Sequence, residues 1–197
     1  MKSDERYEIR FSGSGGQGII TAAIVMADGV GRFDNNHVCQ TQSYGPEARG
    51  GKSKAEVVIS GSPVDYPKAL QVDMLLAMTQ TSCDAYFFDL KSDGLLVVDS
   101  GLVTQLPTSR SVSIPFTQLA REETGKELVA NMVALGAVGY LCGKVSMDGL
   151  EDALLSRVPK GTEEMNSKAL RAGIREAKKI DLSLLPRSVM GEWDDEY

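Results

Sequence analysis

Two glycine-rich segments hold the residues best suited to binding chemistry. The first reads GSGGQG and comprises Gly13, Ser14, Gly15, Gly16, Gln17 and Gly18. Its first, third and sixth positions fit the G-x-G-x-x-G pattern, in which missing side chains let a phosphate approach the backbone amides at the positive end of a helix. We predict that this segment, the glycine-rich loop, presents backbone amides to an anionic ligand or a partner.

A dinucleotide site of this kind also needs an acidic residue about twenty positions later, at the end of the second strand, to bind the ribose hydroxyls. The matching segment, HVCQTQSYG at residues 37–45, contains none. Three interpretations of the glycine-rich loop therefore stay open: a site of NAD type, a loop that faces another anion or a partner, and glycines that serve only close packing of a helix on a strand.

A second loop, YGPEARGG, carries several polar side chains between two predicted strands. An arginine there can form paired hydrogen bonds to a carboxylate or phosphate, and a glutamate can orient it. A hairpin turn needs glycine, but it does not need all of these polar types together; a solvated turn with a surface ion pair is the alternative. The candidate site residues in this hairpin loop are Tyr44, Gly45, Pro46, Glu47, Arg49, Gly50 and Gly51.

Two further candidates, Asn131 and Asn166, lie on predicted apolar helices. A buried amide side chain must find hydrogen-bond partners or face a site, so a satisfied or capping amide is as good an interpretation as a ligand contact. The pairs at 93–94 and 148–149, both Asp-Gly, are predicted to be turns. Neither has the flanking residues of a magnesium site for thiamine diphosphate.

The elements that must position these residues follow from hydrophobic periodicity. Alternation at residues 7–11 predicts a first strand, and apolar residues at helical spacing predict a helix over 17–30, closed by Gly29 and Gly31. Residues 37–42 and 53–60 are predicted to form a hairpin around the second loop. The remaining predictions are strands at 73–78, 95–99 and 110–114 and helices at 79–90, 126–142, 146–158 and 162–179.

These elements predict an α/β fold: Rossmann-like, with a mostly parallel open sheet, an added β-hairpin and a helical C-terminal half. We expect a single domain over residues 1–185 and an acidic tail over 186–197 that contains Trp193.

The bulk properties exclude several classes of protein. The formal net charge of −6 and the spread of acidic residues argue against nucleic acid or an anionic membrane as a partner. Three isolated cysteines, Cys39, Cys83 and Cys142, favour reduced packing thiols over a metal site or disulfides. The charged start, and the lack of an apolar run of ~18 residues, predict a cytoplasmic protein without a membrane span.

Taken together, the motifs resemble one family. They are GSGGQG, QSYGPEARGG, SPVDYP, DMLLAM, GLLVVDS, NMVALGA and the late Asn166, and they occur in order over residues 7–177. This pattern is similar to that of the gamma subunits of 2-oxoacid:ferredoxin oxidoreductases. The form of the hairpin loop resembles the 2-oxoglutarate and 2-oxoisovalerate types more than the pyruvate type, although Ala48 stands where a larger residue, often methionine, is expected.

The resemblance implies a multi-subunit enzyme that oxidatively decarboxylates a 2-oxo acid, transfers the acyl group to coenzyme A and reduces ferredoxin. Thiamine diphosphate and magnesium would lie between alpha and beta subunits, and iron–sulfur clusters in beta or in a small ferredoxin-like delta subunit. This chain alone would bind none of these cofactors and would be inactive. It would cover the coenzyme A channel, with the glycine-rich loop and the hairpin loop facing the active site, and no catalytic residue is assigned to it.

Two other functions remain to be separated from this one. The chain could be a stand-alone nucleotide-binding module that uses the glycine-rich loop. Alternatively it could be a purely structural subunit, in which Gly136, Ala137 and Gly139 let helices approach closely at an oligomer interface.

Overall fold

Strands occupy the first part of the chain and helices the last part in the computed structural model, which describes residues 6–44 and 52–189. The strands are β1 (Tyr7–Ser14), β2 (His37–Tyr44), β3 (Lys52–Ser60), β4 (Val72–Ala77), β5 (Leu90–Asp99) and β6 (Ser111–Ile114). The helices are α1 (Ile19–Asp28), α2 (Gln80–Tyr86), α3 (Phe116–Thr124), α4 (Ala130–Cys142), α5 (Met147–Arg157) and α6 (Glu163–Ala177).

The strands form one six-stranded sheet in the order β2-β3-β1-β4-β5-β6. Strands β1, β4, β5 and β6 are parallel, whereas β3 pairs antiparallel with both β1 and β2. The predicted Rossmann-like α/β fold, a mostly parallel sheet with an added hairpin and a helical C-terminal half, is therefore confirmed.

Alternating residues of β1 face two different layers, as the pleat of a strand requires. Ile9 and Phe11 pack into a large apolar core shared with α1, α3, α4, α5 and α6. Glu8, Arg10 and Ser12 face the opposite side, where a smaller apolar cluster includes Cys83 of α2. The polar side of β1 is thus buried as well, and its side chains need partners.

Both Asp-Gly pairs predicted as turns lie inside regular elements, so those predictions are wrong. Asp93 and Gly94 belong to β5, which begins at Leu90; the β4–β5 ladder takes up the extra length in a register shift between Val72 and Met74. Gly149 lies in the first turn of α5, because its N–H donates to the Ser146 hydroxyl over 3.1 Å. Side-chain capping of the helix has replaced the expected turn.

Two helices end differently from the prediction, and a third helix was not predicted. The first helix does not close at its glycines but continues as a π-helical turn over Gly29–Phe33. The helix predicted to reach residue 90 ends at Tyr86 and is followed by a 3-10 turn at Phe87–Asp89. Helix α3 was not predicted, because its sequence FTQLAREET buries only Phe116 and Ala120.

The glycines of α4 serve packing within the domain. A Cβ atom on Gly136 would overlap the Leu170 carbonyl of α6, and one on Gly173 of α6 would overlap the Val133 carbonyl of α4. The open side of Gly139 is filled by the Leu150 side chain. The prediction that these small residues lie at an oligomer interface is therefore wrong for Gly136 and Gly139.

The chain after α6 crosses to the smaller cluster on the other side of the sheet. Val189 is buried there, and its N–H donates to the Ser92 carbonyl over 2.7 Å. The rest of the predicted acidic tail, including Trp193, lies outside the described residues.

Candidate functional site

A depression lies at the edge of the sheet where the parallel strands end. The chain leaves β1 toward the β2–β3 hairpin but leaves β4 toward β5, so connections run in opposite directions from two neighbouring strands. In open α/β sheets such a switch point opens a crevice outside the carboxyl ends of the strands, and ligands bind there. The carboxyl-edge depression here measures about 340 Å³ and is lined by Gly16, Gln17, Met78, Leu102, Thr117, Glu127, Leu128 and Ala130.

The wall of the depression combines apolar side chains with the starts of three helices. Leu102 is 43% exposed and Leu128 is 75% exposed, so both offer apolar surface to a molecule bound in the depression. Thr117 and Ala130 lie in the first turns of α3 and α4, and Gln17 directly precedes Gly18, the N-cap of α1. The Thr117 N–H is already bound to Asp99, and Glu127 adds a carboxylate to the lining. The side of the depression next to α1, where partial positive charge collects, therefore suits the anionic part of a partly apolar ligand.

The glycine-rich loop is held together by its own glutamine. The Gln17 N–H donates to the Ser14 carbonyl over 3.2 Å, and the Ser14 N–H donates to Gln17 Oε1 over 2.8 Å. This side chain occupies the space beside Gly13, where an added Cβ atom would lie 2.5 Å from Oε1. Gly13 therefore makes room for Gln17.

The end of the loop leaves the start of α1 without a side-chain cap. Gly18 precedes the helix in the left-handed region, with φ of 70°, which glycine adopts without strain. Gly16 also has a positive φ, and open space lies beside its Cα atom. Gly16 and Gln17 line the depression, so the tip of the loop and the uncapped amides of α1 are the parts that can meet a ligand.

The structure separates the two candidate asparagines. Asn131 lies in the first turn of α4, and its Nδ2 donates to the Gly18 carbonyl over 3.0 Å. Asn166 lies in the first turn of α6, and its Nδ2 donates to the Thr162 carbonyl and hydroxyl over 2.8 Å and 3.1 Å. Asn131 is thus part of the support of the glycine-rich loop, whereas Asn166 bonds back to Thr162, the residue before its own helix, and does not line the depression.

The hairpin loop lies mostly outside the described residues. Tyr44 ends β2, and the other candidates, Gly45, Pro46, Glu47, Arg49, Gly50 and Gly51, are not described, so they stay predictions. Strand pairing nevertheless locates both ends of the loop, because Ser53 lies opposite Tyr44 and Lys52 lies opposite Ser14. The hairpin loop and the glycine-rich loop therefore leave the sheet at the same edge.

Sequence reasoning missed several residues of the site. Asp99, at the end of β5, is fully buried; it accepts hydrogen bonds from the Thr117 N–H and hydroxyl over 2.9 Å and 2.5 Å and so caps α3. Met78, Leu102 and Thr117 line the depression. Each lies shortly after a strand, so the rule that ligands bind at carboxyl ends could have found them.

A buried ion-pair cluster joins the other side of β1 to β3 and to the turn after α2. Glu56 Oε1 accepts hydrogen bonds from Arg10 over 3.1 Å and from Lys54 Nζ over 3.0 Å, and Arg10 also pairs with Asp89. Burial alone would raise the pKa of Glu56, but Lys54 and Arg10 outweigh burial and lower it. The ring of Tyr86 packs under both cations.

Across residues 6–44 and 52–189, no group of three or more His, Cys, Asp or Glu side chains is placed to hold a metal ion. Within the same ranges, every helix is too short or too polar to cross a membrane.

Burial raises the pKa of Cys83 to about 11 and that of Cys142 to about 12, so both thiols stay protonated at neutral pH.

The fold and the site define an open-sheet α/β domain with a glycine-rich binding edge. The chain belongs to the family described as pyruvate ferredoxin/flavodoxin oxidoreductase, which matches residues 8–176. This confirms the family that the motifs indicated and makes the chain a subunit of an oxidoreductase, so further subunits are expected.

Several known proteins are similar to this chain. The 2-oxoglutarate synthase subunit KorC of Methanocaldococcus jannaschii is 46% identical over 89% of this chain and 96% of that protein. The keto/oxoacid ferredoxin oxidoreductase gamma subunit of Geobacter sulfurreducens is 48% identical, with a TM-score of 0.80 over 88% of this chain and 99% of that one.

More distant relatives share the fold, and some of them are named for other 2-oxo acids. The 2-oxoglutarate:ferredoxin oxidoreductase of Magnetococcus marinus was solved with 2-oxoglutarate, coenzyme A and succinyl-CoA bound. It matches this chain with a TM-score of 0.80 at 22% identity. The match covers 91% of this chain and 32% of the Magnetococcus chain. Two ketoisovalerate oxidoreductase subunits VorA and two pyruvate synthase subunits PorC are 28% to 32% identical to this chain.

Proposed function

We propose that this chain is the gamma subunit of a 2-oxoglutarate:ferredoxin oxidoreductase. Relatives named as 2-oxoglutarate synthase subunits are 36% to 46% identical to it, above the range of those named for the other 2-oxo acids. The enzyme would oxidatively decarboxylate 2-oxoglutarate, transfer the succinyl group to coenzyme A and pass the electrons to ferredoxin. The form of the hairpin loop favours the 2-oxoglutarate and 2-oxoisovalerate types over the pyruvate type, and the identities favour 2-oxoglutarate between those two.

The observation that carries the proposal is the shared edge of the two loops. The glycine-rich loop lines a depression with an apolar wall beside the uncapped start of α1, and pairing of Ser14 with Lys52 places one end of the hairpin loop at the same edge of the sheet. The residues fit coenzyme A, since Leu102 and Leu128 can pack against the pantetheine arm while the N–H groups near Gly16 and at the uncapped start of α1 meet a phosphate. Coenzyme A supplies the thiol that accepts the acyl group, and this chain's part is to bind and orient it.

The remaining cofactors are assigned to partner subunits. A typical iron–sulfur cluster takes four cysteine ligands, and this chain has three cysteines in all. We place the clusters in beta or in a ferredoxin-like delta subunit, and thiamine diphosphate with magnesium between alpha and beta. Ferredoxin is the electron acceptor of the whole complex, which we expect in the cytoplasm.

Omitting this chain tests the proposal directly. Alpha and beta subunits purified without it are expected to lose at least about 100-fold in coenzyme A-dependent ferredoxin reduction, because the coenzyme A channel would lack one wall. The chain alone should be inactive, and adding it back should restore turnover. The rate of ferredoxin reduction with 2-oxoglutarate, pyruvate and 2-oxoisovalerate measures both the requirement and the preference.

Two results would contradict the proposal. Undiminished turnover without this chain would show that it does not complete the channel. A higher kcat/KM for pyruvate or 2-oxoisovalerate than for 2-oxoglutarate in the complete complex would refute the substrate assignment.

A further inference from the structure

Asn131 is a polar residue on a helix that is otherwise buried and apolar. Helix α4 buries almost every position along its length, and Asn131 itself is only 6% exposed. A buried amide is costly unless it is hydrogen-bonded. Within the described residues, the bond that this side chain donates goes to the Gly18 carbonyl, 113 positions earlier in the chain.

The Gly18 carbonyl is the point at which the glycine-rich loop becomes α1. It also accepts the first bond of the helix, from the Ala22 N–H over 3.1 Å. Fixing this carbonyl fixes the peptide plane that carries the next N–H, that of Ile19, at the uncapped start of α1. The opposite end of the loop is fixed by the two bonds between Ser14 and Gln17. The bond from Asn131 to the Gly18 carbonyl therefore holds the end of the glycine-rich loop that joins α1, while the bonds between Ser14 and Gln17 hold its start.

The fit between the two residues is close in both directions. A Cβ atom on Gly18 would overlap the Asn131 amide group, so the asparagine needs glycine there. Asn131 also follows Ala130, which lines the depression together with Gly16 and Gln17. One contact thus sets the distance between the loop wall and the α4 wall of the carboxyl-edge depression.

We infer that Asn131 is a positioning residue for coenzyme A binding. It acts through Gly18, placing the tip of the glycine-rich loop across the depression from Leu128 and Ala130. The inference rests on the proposed function, because it takes coenzyme A as the occupant of this depression. It assigns Asn131 no contact with the reacting atoms.

The test compares Asn131→Ala with Asn166→Ala in the assembled complex. Both asparagines are 6% exposed and both donate to a backbone carbonyl, so the two variants lose similar groups. Asn131→Ala is expected to raise KM for coenzyme A about 10-fold, with kcat and KM for 2-oxoglutarate within about twofold of the unsubstituted enzyme. Asn166→Ala should leave KM for coenzyme A within about twofold.

A double-substitution cycle gives a second readout. Gly18→Ala suffers both overlap with Asn131 and strain at its positive φ, whereas in the Asn131→Ala background only the strain remains. The rise in KM for coenzyme A caused by Gly18→Ala should therefore be at least about threefold smaller in that background. Additive effects would overturn the inference.

Amide hydrogen exchange separates this inference from the proposed function. Exchange at residues 14–19 of the full chain, in its complex, should be at least about tenfold faster in Asn131→Ala and unchanged in Asn166→Ala. Equal exchange and equal KM in the two variants would show that Asn131 has only a structural role. If the unsubstituted complex used no coenzyme A, the proposed function and the assignment of coenzyme A would both be refuted, while exchange would still decide whether Asn131 positions the loop.

Discussion

Gly173→Ala is expected to destabilise the protein by about 3 kcal/mol, with loss of the α4–α6 packing. Alanine is the better helix former by about 1 kcal/mol, so helix propensity alone would give the opposite sign. The overlap dominates, because the new Cβ atom would meet the Val133 carbonyl, and this is backbone that cannot rotate away. Chemical denaturation of the purified chain, followed by circular dichroism, measures the change in the free energy of unfolding.

Gly101→Ala is the matched control for this prediction. A Cβ atom there would lie 3.4 Å from Asp99 Oδ1, an ordinary contact, so the expected change is within about 0.5 kcal/mol. Gly136→Ala should behave like Gly173→Ala, since its Cβ atom would overlap the Leu170 carbonyl. If Gly136→Ala or Gly173→Ala raised the free energy of unfolding, α4 and α6 would be able to move apart without loss of stability, which would contradict this prediction.

Arg10→Met is expected to lower the free energy of unfolding by about 3–5 kcal/mol, because it removes the central cation of the buried cluster. Arg10 is 2% exposed and pairs with both Glu56 and Asp89. Methionine keeps much of the volume but leaves the Glu56 carboxylate buried with Lys54 as its remaining cation. The free energy of unfolding at neutral pH, from denaturant titration, measures the loss.

The loss should depend on pH in a defined direction. Because the pKa of Glu56 is lowered from 4.5, its ionised form stabilises the fold fully above that value, and the stabilisation is lost as pH falls through the folded pKa. The difference between Arg10→Met and the unsubstituted protein should therefore shrink in acid. A double substitution with Glu56→Leu should cost less than Arg10→Met alone, since no buried charge is left without its partner. A difference that grows in acid would contradict this account of the cluster.

The sequence was sufficient to locate the glycine-rich loop and the hairpin, because both depend on local signals. Two-residue alternation marks the strands, and glycines mark the turns between them. The roles of individual glycines were not predictable. Gly18 is required by a side chain 113 positions away, and Gly13 by the rotamer of Gln17, so only packing of the complete domain reveals them.

Helix α3 shows why one wall of the depression could not be predicted from local sequence. It carries few apolar residues, and Asp99 at the end of β5 caps it through Thr117. A cap supplied from a distant strand leaves no trace in the local sequence of the helix. The same reasoning applies to Asp93 and Gly94, where pairing with β4 overrode the turn that the residue types favour.

The antiparallel pairing of β3 with β1 also affects how the protein can evolve. Because Ser14 lies opposite Lys52 and Tyr44 lies opposite Ser53, the ladder holds both ends of the hairpin loop independently of its length. Lengthening such a loop costs little, since closure entropy grows only with the logarithm of the number of residues. An insertion within β3 would instead reverse the facing of every later side chain or force a bulge. The sheet beneath this loop can therefore stay unchanged when the length of the loop changes.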